Sequence, residues 1–253
     1  MTEAGAAVTE DRLLGGRVRL RQPVDGYRAA TDPVLLAAAV PARAGDGVLD
    51  LGCGAGAAAL CLAARVPGVA VTGLERAPGY AALARENAGL NGAAFEAVEG
   101  DVAAMPAALR VRSFDHVMLN PPWYPGGAAT PSPSVLRDGA HREGAAGLGA
   151  WIGAGLARLR PRGTLTVIQR AERLPDILAA LDGRAGSVTV LPLAAREGRA
   201  AKRVILRAVK GGRGPFRLLA PLVLHAGPAH AADRDDFTPA AAAVLRDGAA
   251  LAL

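Results

Sequence analysis

Asn120-Pro121-Pro122-Trp123-Tyr124 is the stretch whose residue types could do chemistry at one point, and it directly follows the apolar run Val117-Met118-Leu119. Proline fixes its own φ and restricts the residue before it, so Asn120 and Pro121 are driven to extended backbone. A strand therefore ends here in a stiff, non-helical loop. Such a loop can aim one carboxamide and two backbone carbonyls at a fixed point, with an aromatic face beside them. That arrangement suits a flat ring bearing an amino group. The same residues also make an ordinary proline-rich strand exit with an exposed tryptophan. What the rest of the chain places nearby decides between the two.

Three earlier strand ends carry similar features. Residues 47–51 read as a short apolar strand running into Gly52-Cys53-Gly54-Ala55-Gly56, and an alanine- and leucine-rich helix continues to about residue 66. Strand, glycine loop and helix form the nucleotide-binding opening of an α/β sheet. Glycines let the backbone approach a ligand closely and leave amides available at the helix start. Alone, such a loop is equally an ordinary βα turn. The next strand, 69–74, ends in Glu75, placed to accept hydrogen bonds from both hydroxyls of a ribose. A helix over 77–90 stops at Asn91-Gly92. The strand 95–98 ends in Gly100-Asp101, with Asp101 where an adenine edge would be read. Residues 114–119 form the fourth strand and deliver Asn120. Four successive strands ending in a glycine loop or a polar group are what a ligand crevice at strand carboxyl ends requires.

The flanking segments are less specific. Residues 1–11 read as a loose terminus, and 13–21 alternate as an edge hairpin with Arg17, Arg19 and Arg21 outward. Thr31-Asp32-Pro33 is a helix start. Residues 125–142 are rich in Gly, Pro and Ser and read as a binding loop or lid. A turn at Pro161-Arg162-Gly163 leads into a strand over 164–169, and a helix follows over 174–181. Apolar strands over 188–193 and 204–209 flank Arg196, Arg199, Lys202 and Arg203. That cluster is either a solvated loop or a phosphate-contacting patch. Residues 218–224 add one more strand-like run.

Composition sets bounds. The 253 residues are 51% hydrophobic and carry a net charge of +6, which suits one large α/β domain with a core and an anionic partner. Cys53 and Cys61 have no metal-ligand spacing and make no disulfide framework. The histidines are scattered, so no metal is expected. The N-terminus is acidic through Glu3, Glu10 and Asp11, unlike a signal peptide, and no apolar run is long enough to span a membrane. A reducing cytoplasm is the expected compartment, and the oligomeric state is not legible.

Taken in order, Val48-Leu49-Asp50-Leu51-Gly52-Cys53-Gly54-Ala55-Gly56, Glu75, Asp101 and Asn120-Pro121-Pro122-Trp123 resemble the class I S-adenosylmethionine-dependent methyltransferases. The glycine spacing departs from the dehydrogenase G-x-G-x-x-G pattern, which argues against a nicotinamide oxidoreductase. Asn-Pro-Pro-aromatic resembles the branch that methylates planar nitrogens, in adenine, cytosine, guanine or a glutamine side chain. The chain from about residue 12 onward is similar to the bacterial tRNA1(Val) adenine-N6-methyltransferases. That likeness includes Asp25-Gly26-Tyr27-Arg28-Ala29-Ala30-Thr31-Asp32, Pro131-Ser132-Pro133, Ala171-Glu172-Arg173-Leu174 and Ala201-Lys202-Arg203-Val204-Ile205-Leu206. Trp123 departs from the Tyr or Phe of many relatives, keeping a stacking face but adding bulk.

The resemblance implies a Rossmann-like fold: a seven-stranded, mostly parallel sheet with an antiparallel last strand and helices on both faces. It implies one domain, with residues 1–46 packing over the cofactor site, 47–210 forming the core sheet and 211–253 an extension. S-adenosylmethionine would be held by Asp50, Gly52, Cys53, Gly54 and Gly56 around its methionine and ribose portions. Glu75 would take the ribose hydroxyls with Arg76 beside it, and Asp101 and the Val102 amide would read adenine. Tyr27, Arg28, Thr31, Asp32 and Asn120 would complete the cofactor contacts. Asn120, Pro121, Pro122 and Trp123 would hold the target nitrogen. The expected partner is RNA, tRNA above all. The alternatives are a protein glutamine, a ribosomal RNA guanine or adenine, or RNA binding without catalysis on the same fold.

Overall fold

The structure, a computed structural model, describes residues 7–25, 28–122, 147–229 and 236–253. An antiparallel hairpin opens it, β1 (Val8–Leu13) with β2 (Val18–Pro23). Residues 8–11 are therefore strand rather than loose terminus. The hairpin expected from residue 13 onward begins five residues earlier, with Glu10 opposite Arg21 and Asp11 opposite Leu20 across the pair. Helix α1 (Asp32–Ala39) follows.

The core then alternates strand and helix: β3 (Gly47–Leu51), α2 (Ala57–Arg65), β4 (Ala70–Glu75), α3 (Pro78–Leu90), β5 (Phe95–Glu99), the one-turn α4 (Ala107–Arg110) and β6 (Phe114–Leu119). After the long segment outside the described residues come α5 (Leu148–Arg158), β7 (Leu159–Arg170), α6 (Leu174–Leu181), β8 (Ala185–Ala194) and β9 (Arg203–Lys210). Two short strands, β10 (Arg217–Leu218) and β11 (Leu222–Val223), and helix α7 (Pro239–Leu245) end the chain.

The sheet runs β10-β8-β9-β7-β6-β3-β4-β5, with β11 also on β8. β9 is antiparallel to both neighbours, and the other pairings are parallel. The antiparallel last long strand is as expected. The strand count is nine instead of seven, since the run 218–224 splits around Pro221, which has no N–H for a ladder, and both pieces join β8. β7 also starts earlier than the turn Pro161-Arg162-Gly163 suggested. The turn survives as an irregularity inside the strand: Arg162 has φ +67°, and the β6–β7 register shifts between Phe114 and His116.

Both faces of the sheet are covered, as its apolar strands require. Side chains alternate in β3, β6 and β7. Val48, Met118 and Ile168 pack with α1 and α2, and Leu49, Val117, Leu119, Leu165 and Val167 pack with α5 and α6. The chain proceeds from β3 outward through β4 and β5, then crosses back to β6 on the other side of β3. This reversal leaves a crevice at the carboxyl ends of β3 and β6. Among the described residues, no helix is long and apolar enough to cross a membrane.

Besides the buried Val18 and Leu20, the hairpin is fastened to the core by two side-chain amides, one in α3 and one at its C-terminal cap. Asn91 accepts from the Arg19 amide at 2.9 Å and donates to the Arg19 carbonyl at 2.7 Å. Asn87 does the same with Arg21, at 2.8 and 2.9 Å, and also donates to the Ala55 carbonyl of the glycine loop at 2.9 Å. Four helical residues rise about 6 Å, and two strand residues about 6.6 Å, so i, i+4 amides match alternate residues of β2. Asn87 is fully buried. Replacing Asn87 by Ala leaves those backbone groups without partners, so we expect a loss of about 2–4 kcal/mol in urea unfolding. Asn91→Ala, at a wetter position, should cost less.

Candidate active site

The carboxyl end of β3 is held to β4 by the Gly52 and Cys53 amides, which both donate to the Leu74 carbonyl, at 2.8 and 3.1 Å. The loop then bends over neighbouring side chains. Gly52 has φ +72°, and a Cβ there would stand 2.7 Å from the Trp151 ring; Gly56 has φ +92°, and a Cβ there would stand 2.6 Å from Phe95. No other residue type fits either place. Between them, no described residue beyond its chain neighbours lies within 4 Å of where a Gly54 Cβ would be. The loop is thus clamped at its ends and open at its middle.

Glu75 ends β4 and reaches back to this loop. One carboxylate oxygen accepts from the Gly54 amide at 3.0 Å and the other from the Ala77 amide at 2.8 Å. Each oxygen keeps an acceptor site for a ligand. The Glu75 carbonyl accepts from the Gly100 amide at 2.9 Å, which brings the end of β5 alongside. There Asp101 accepts from the Ala103 amide at 2.7 Å in a side-chain turn, with Val102 half-buried between them. Arg76 is exposed.

Asp50 lies within β3 beneath the loop and is 2% exposed. Its Oδ2 is buried with no hydrogen-bond partner among the described residues. Burial, with the nearby Glu75 charge, pushes its carboxyl up to about 7, against the opposing pull of the Ala59 amide. Burial likewise raises the Cys53 thiol well above its usual range.

Asn120, half-buried, and Pro121 and Pro122 leave β6 beside the end of β3. Trp123 and Tyr124, and the whole loop 125–142, lie outside the described residues, as does Tyr27. Arg28, Thr31 and Asp32 lie around the start of α1. Arg28 is engaged by the hairpin, donating to Thr9, Asp11 and the Pro23 carbonyl. Asp32, buried, is paired with Arg203 at the start of β9, and burial raises its carboxyl despite that partner. Because Arg203 stands opposite Arg170, at the end of β7, this ion pair fixes the start of α1 at the carboxyl edge of the sheet. The expected arginine patch is thereby divided. Arg203 is held by Asp32 and Arg196 by Asp236 at 2.6 Å, while Arg199 and Lys202 are exposed.

The family described as "Methyltransferase small domain" matches residues 30–138. A solved structure from Agrobacterium tumefaciens, described as a predicted O-methyltransferase, superposes with a TM-score of 0.68 at 30% identity, over 87% of this chain and 98% of that one. The chain belongs to the class I S-adenosylmethionine-dependent methyltransferases. A release factor glutamine methyltransferase of Deinococcus radiodurans is 40% identical over 92 residues, 36% of this chain and 32% of the relative. A tRNA1(Val) (adenine(37)-N6)-methyltransferase of Porphyromonas gingivalis is 32% identical over 158 residues, 59% of this chain and 61% of the relative. The methyltransferase thus spans less than two thirds of the length of either curated relative.

S-adenosylmethionine is its cofactor, and the residues at the crevice fit that molecule. A sulfonium and an ammonium are cationic, and Asp50 offers a buried carboxylate oxygen, Oδ2, that has no hydrogen-bond partner among the described residues. Two hydroxyls suit the two Glu75 oxygens. The space at Gly54, open among the described residues, admits a ligand that a side chain would exclude. Among the described residues, no cluster of His, Cys, Asp and Glu could hold a metal.

Three contributors escaped the sequence reading. Trp151 closes on Gly52 from α5, Asn87 ties the glycine loop to the hairpin, and Gln169, buried in β7, donates to the Pro121 and Pro122 carbonyls. The only signal for Gln169 was a polar residue late in an apolar strand. Asn87 and Trp151 gave none beyond residue type.

Two outcomes follow for the cofactor site. An unfolded Asp titrates near 3.9, so its native pKa of about 7 makes the native state bind the extra proton between these values. The stability from this group is complete below pH 4 and lost as pH rises through about 7. Urea unfolding of the ligand-free protein should show that decline, and Asp50→Asn should flatten it. Glu75→Gln removes one acceptor for the Gly54 or Ala77 amide and should weaken S-adenosylmethionine binding by about tenfold or more in calorimetry.

Proposed function

We propose that this methyltransferase modifies the exocyclic N6 amino group of an adenine in tRNA, beside the anticodon. The observation that carries the reading is Asn120-Pro121-Pro122 at the end of β6, on the same sheet edge as the glycine loop and Glu75. The similarity to the Porphyromonas tRNA enzyme over 158 residues supports RNA, as do the net charge of +6 and the exposed Arg199 and Lys202 near that edge.

In this reading Asp50, Gly52, Cys53, Gly54 and Gly56 surround the methionine and ribose portions of the cofactor. Glu75 takes the ribose hydroxyls with Arg76 beside it, and Asp101 and Val102 read its adenine. Tyr27, Arg28, Thr31 and Asp32, within the N-terminal segment 1–46, close the site from the hairpin side. When bound, S-adenosylmethionine supplies a methyl group activated by its positive sulfur.

An exocyclic amine is a poor nucleophile, because its lone pair is delocalised into the ring. The Asn120 side-chain oxygen and the Pro121 carbonyl accept its two hydrogens and favour a more pyramidal nitrogen. Its proton leaves after the new N–C bond has formed, so no residue has to act as a strong base beforehand. Trp123 stacks on the ring, which is worth about 1–3 kcal/mol per base. Holding the two reactants in place supplies much of the acceleration.

A second reading is a glutamine side chain, whose amide presents the same planar NH2. The 40% identity to the release factor enzyme over 92 residues favours it. The test is incubation with unmodified tRNA or with a glutamine-bearing release factor, followed by mass spectrometry of nucleosides and peptides. N6-methyladenosine supports the first reading, and N5-methylglutamine replaces it with the second. Asn120→Ala should lower the rate by about 100-fold or more while cofactor affinity stays within about threefold; full activity in that variant would remove Asn120 from the mechanism.

A further inference from the structure

We propose that Gln169 is the positioning residue that sets the direction from which the Asn-Pro-Pro loop accepts the target nitrogen, an inference that rests on the N-methylation reading. The register of β6 on β7 pairs Leu119 with Val167. Continued by two residues, it brings Pro121 opposite Gln169. The backbone ladder cannot extend there, because neither proline has an N–H to give. Their carbonyls still need donors, since they leave the strand in a buried setting.

Gln169 supplies both. It is 1% exposed, and its Nε2 donates to the Pro121 carbonyl and to the Pro122 carbonyl, each at 3.2 Å. Its Oε1 accepts from the Arg170 amide at 2.8 Å. All three contacts agree on one orientation of the amide. The flipped group would set an oxygen against two carbonyl oxygens and an NH2 against an amide N–H.

The consequence is geometric. A carbonyl oxygen has two acceptor positions. Gln169 occupies one on Pro121, so only the other remains for the incoming amine. The plane of that remaining position is fixed by a strand on the far side of the loop from the cofactor-binding strands. Gln169 touches neither cofactor nor target. It acts through Pro121 and Pro122, holding the acceptor still while the nitrogen changes shape.

The test compares Gln169→Met, which keeps volume but donates nothing, with Gln169→Glu, whose side chain donates only when protonated. Wild type and variants are assayed on an unmodified tRNA transcript and on the glutamine-bearing release factor, with cofactor affinity measured in parallel by calorimetry. Gln169→Met should lower kcat by about 10- to 100-fold, with cofactor affinity within about twofold and KM little changed. In Gln169→Glu, kcat should recover as pH falls, a limb that wild type lacks. A kcat for Gln169→Met within twofold of wild type overturns the inference. If that variant fails to bind cofactor, Gln169→Glu decides: recovery at low pH supports positioning, and a profile parallel to wild type overturns it. Nitrogen-15 spectra of the ligand-free protein give a readout independent of turnover: slow exchange of the Gln169 side-chain protons supports the contact, and fast exchange overturns it. If wild type methylates neither substrate, the N-methylation reading itself falls, an outcome distinct from active wild type with an indifferent Gln169.

Discussion

The two hydrogen bonds from the Gly54 and Ala77 amides to the Glu75 carboxylate are the contact around which the rest of the site is arranged. They join the loop after β3 to the end of β4, and they place a negative charge where two chains of backbone amides begin. Without them Gly54, at the middle of the glycine loop, would lose its tie to β4, leaving the loop held by the Leu74 carbonyl at one end and by Asn87 at Ala55. The Gly100 amide, bound to the carbonyl of the same residue, draws β5 into line. One side chain and its backbone thereby align three strand ends, and the crossing of the chain from β5 to β6 leaves the fourth beside them.

A second constraint is that buried backbone groups must find partners where the sheet stops. Here amide side chains take the place of missing strands. Asn87 and Asn91 stand in for a neighbour to β2, and Gln169 stands in for the rung that Pro121 and Pro122 cannot complete. An amide serves because it carries a donor and an acceptor, as a peptide unit does, without a charge to desolvate. Asp50 shows the contrast. It is a carboxylate in the same kind of setting, and the fold raises its affinity for a proton as the cost of keeping it there.

The fold was largely legible because its pattern is periodic. Short apolar runs, the first two each followed by a helix, announced β3 to β6 and their order. The strand-end residues were legible because Gly, Glu, Asp and Asn-Pro-Pro are unusual at such places. What the sequence could not disclose depends on contacts far apart in the chain. Asn87 reads as an ordinary polar residue within a helix until Arg21 and Ala55 are brought to it, 66 and 32 residues away. Arg203 belongs to a basic cluster by sequence and to Asp32 in space, across 171 residues. The short strands after residue 216 failed for a local reason, since Pro221 sits inside the run and divides it.

The docking of the hairpin has an evolutionary consequence. Asn87 and Asn91 read only the backbone of β2, and the side chains that anchor it, Val18 and Leu20, lie buried on its inner face, so the attachment is indifferent to the outward side chains alone. Arg19 and Arg21 project from a strand that stays in place whatever replaces them, apart from their contacts with Glu10 and Glu86. The outer face of the hairpin is therefore free to drift in sequence while the glycine loop beneath it stays fixed. Selection can act on that surface without disturbing the crevice it adjoins.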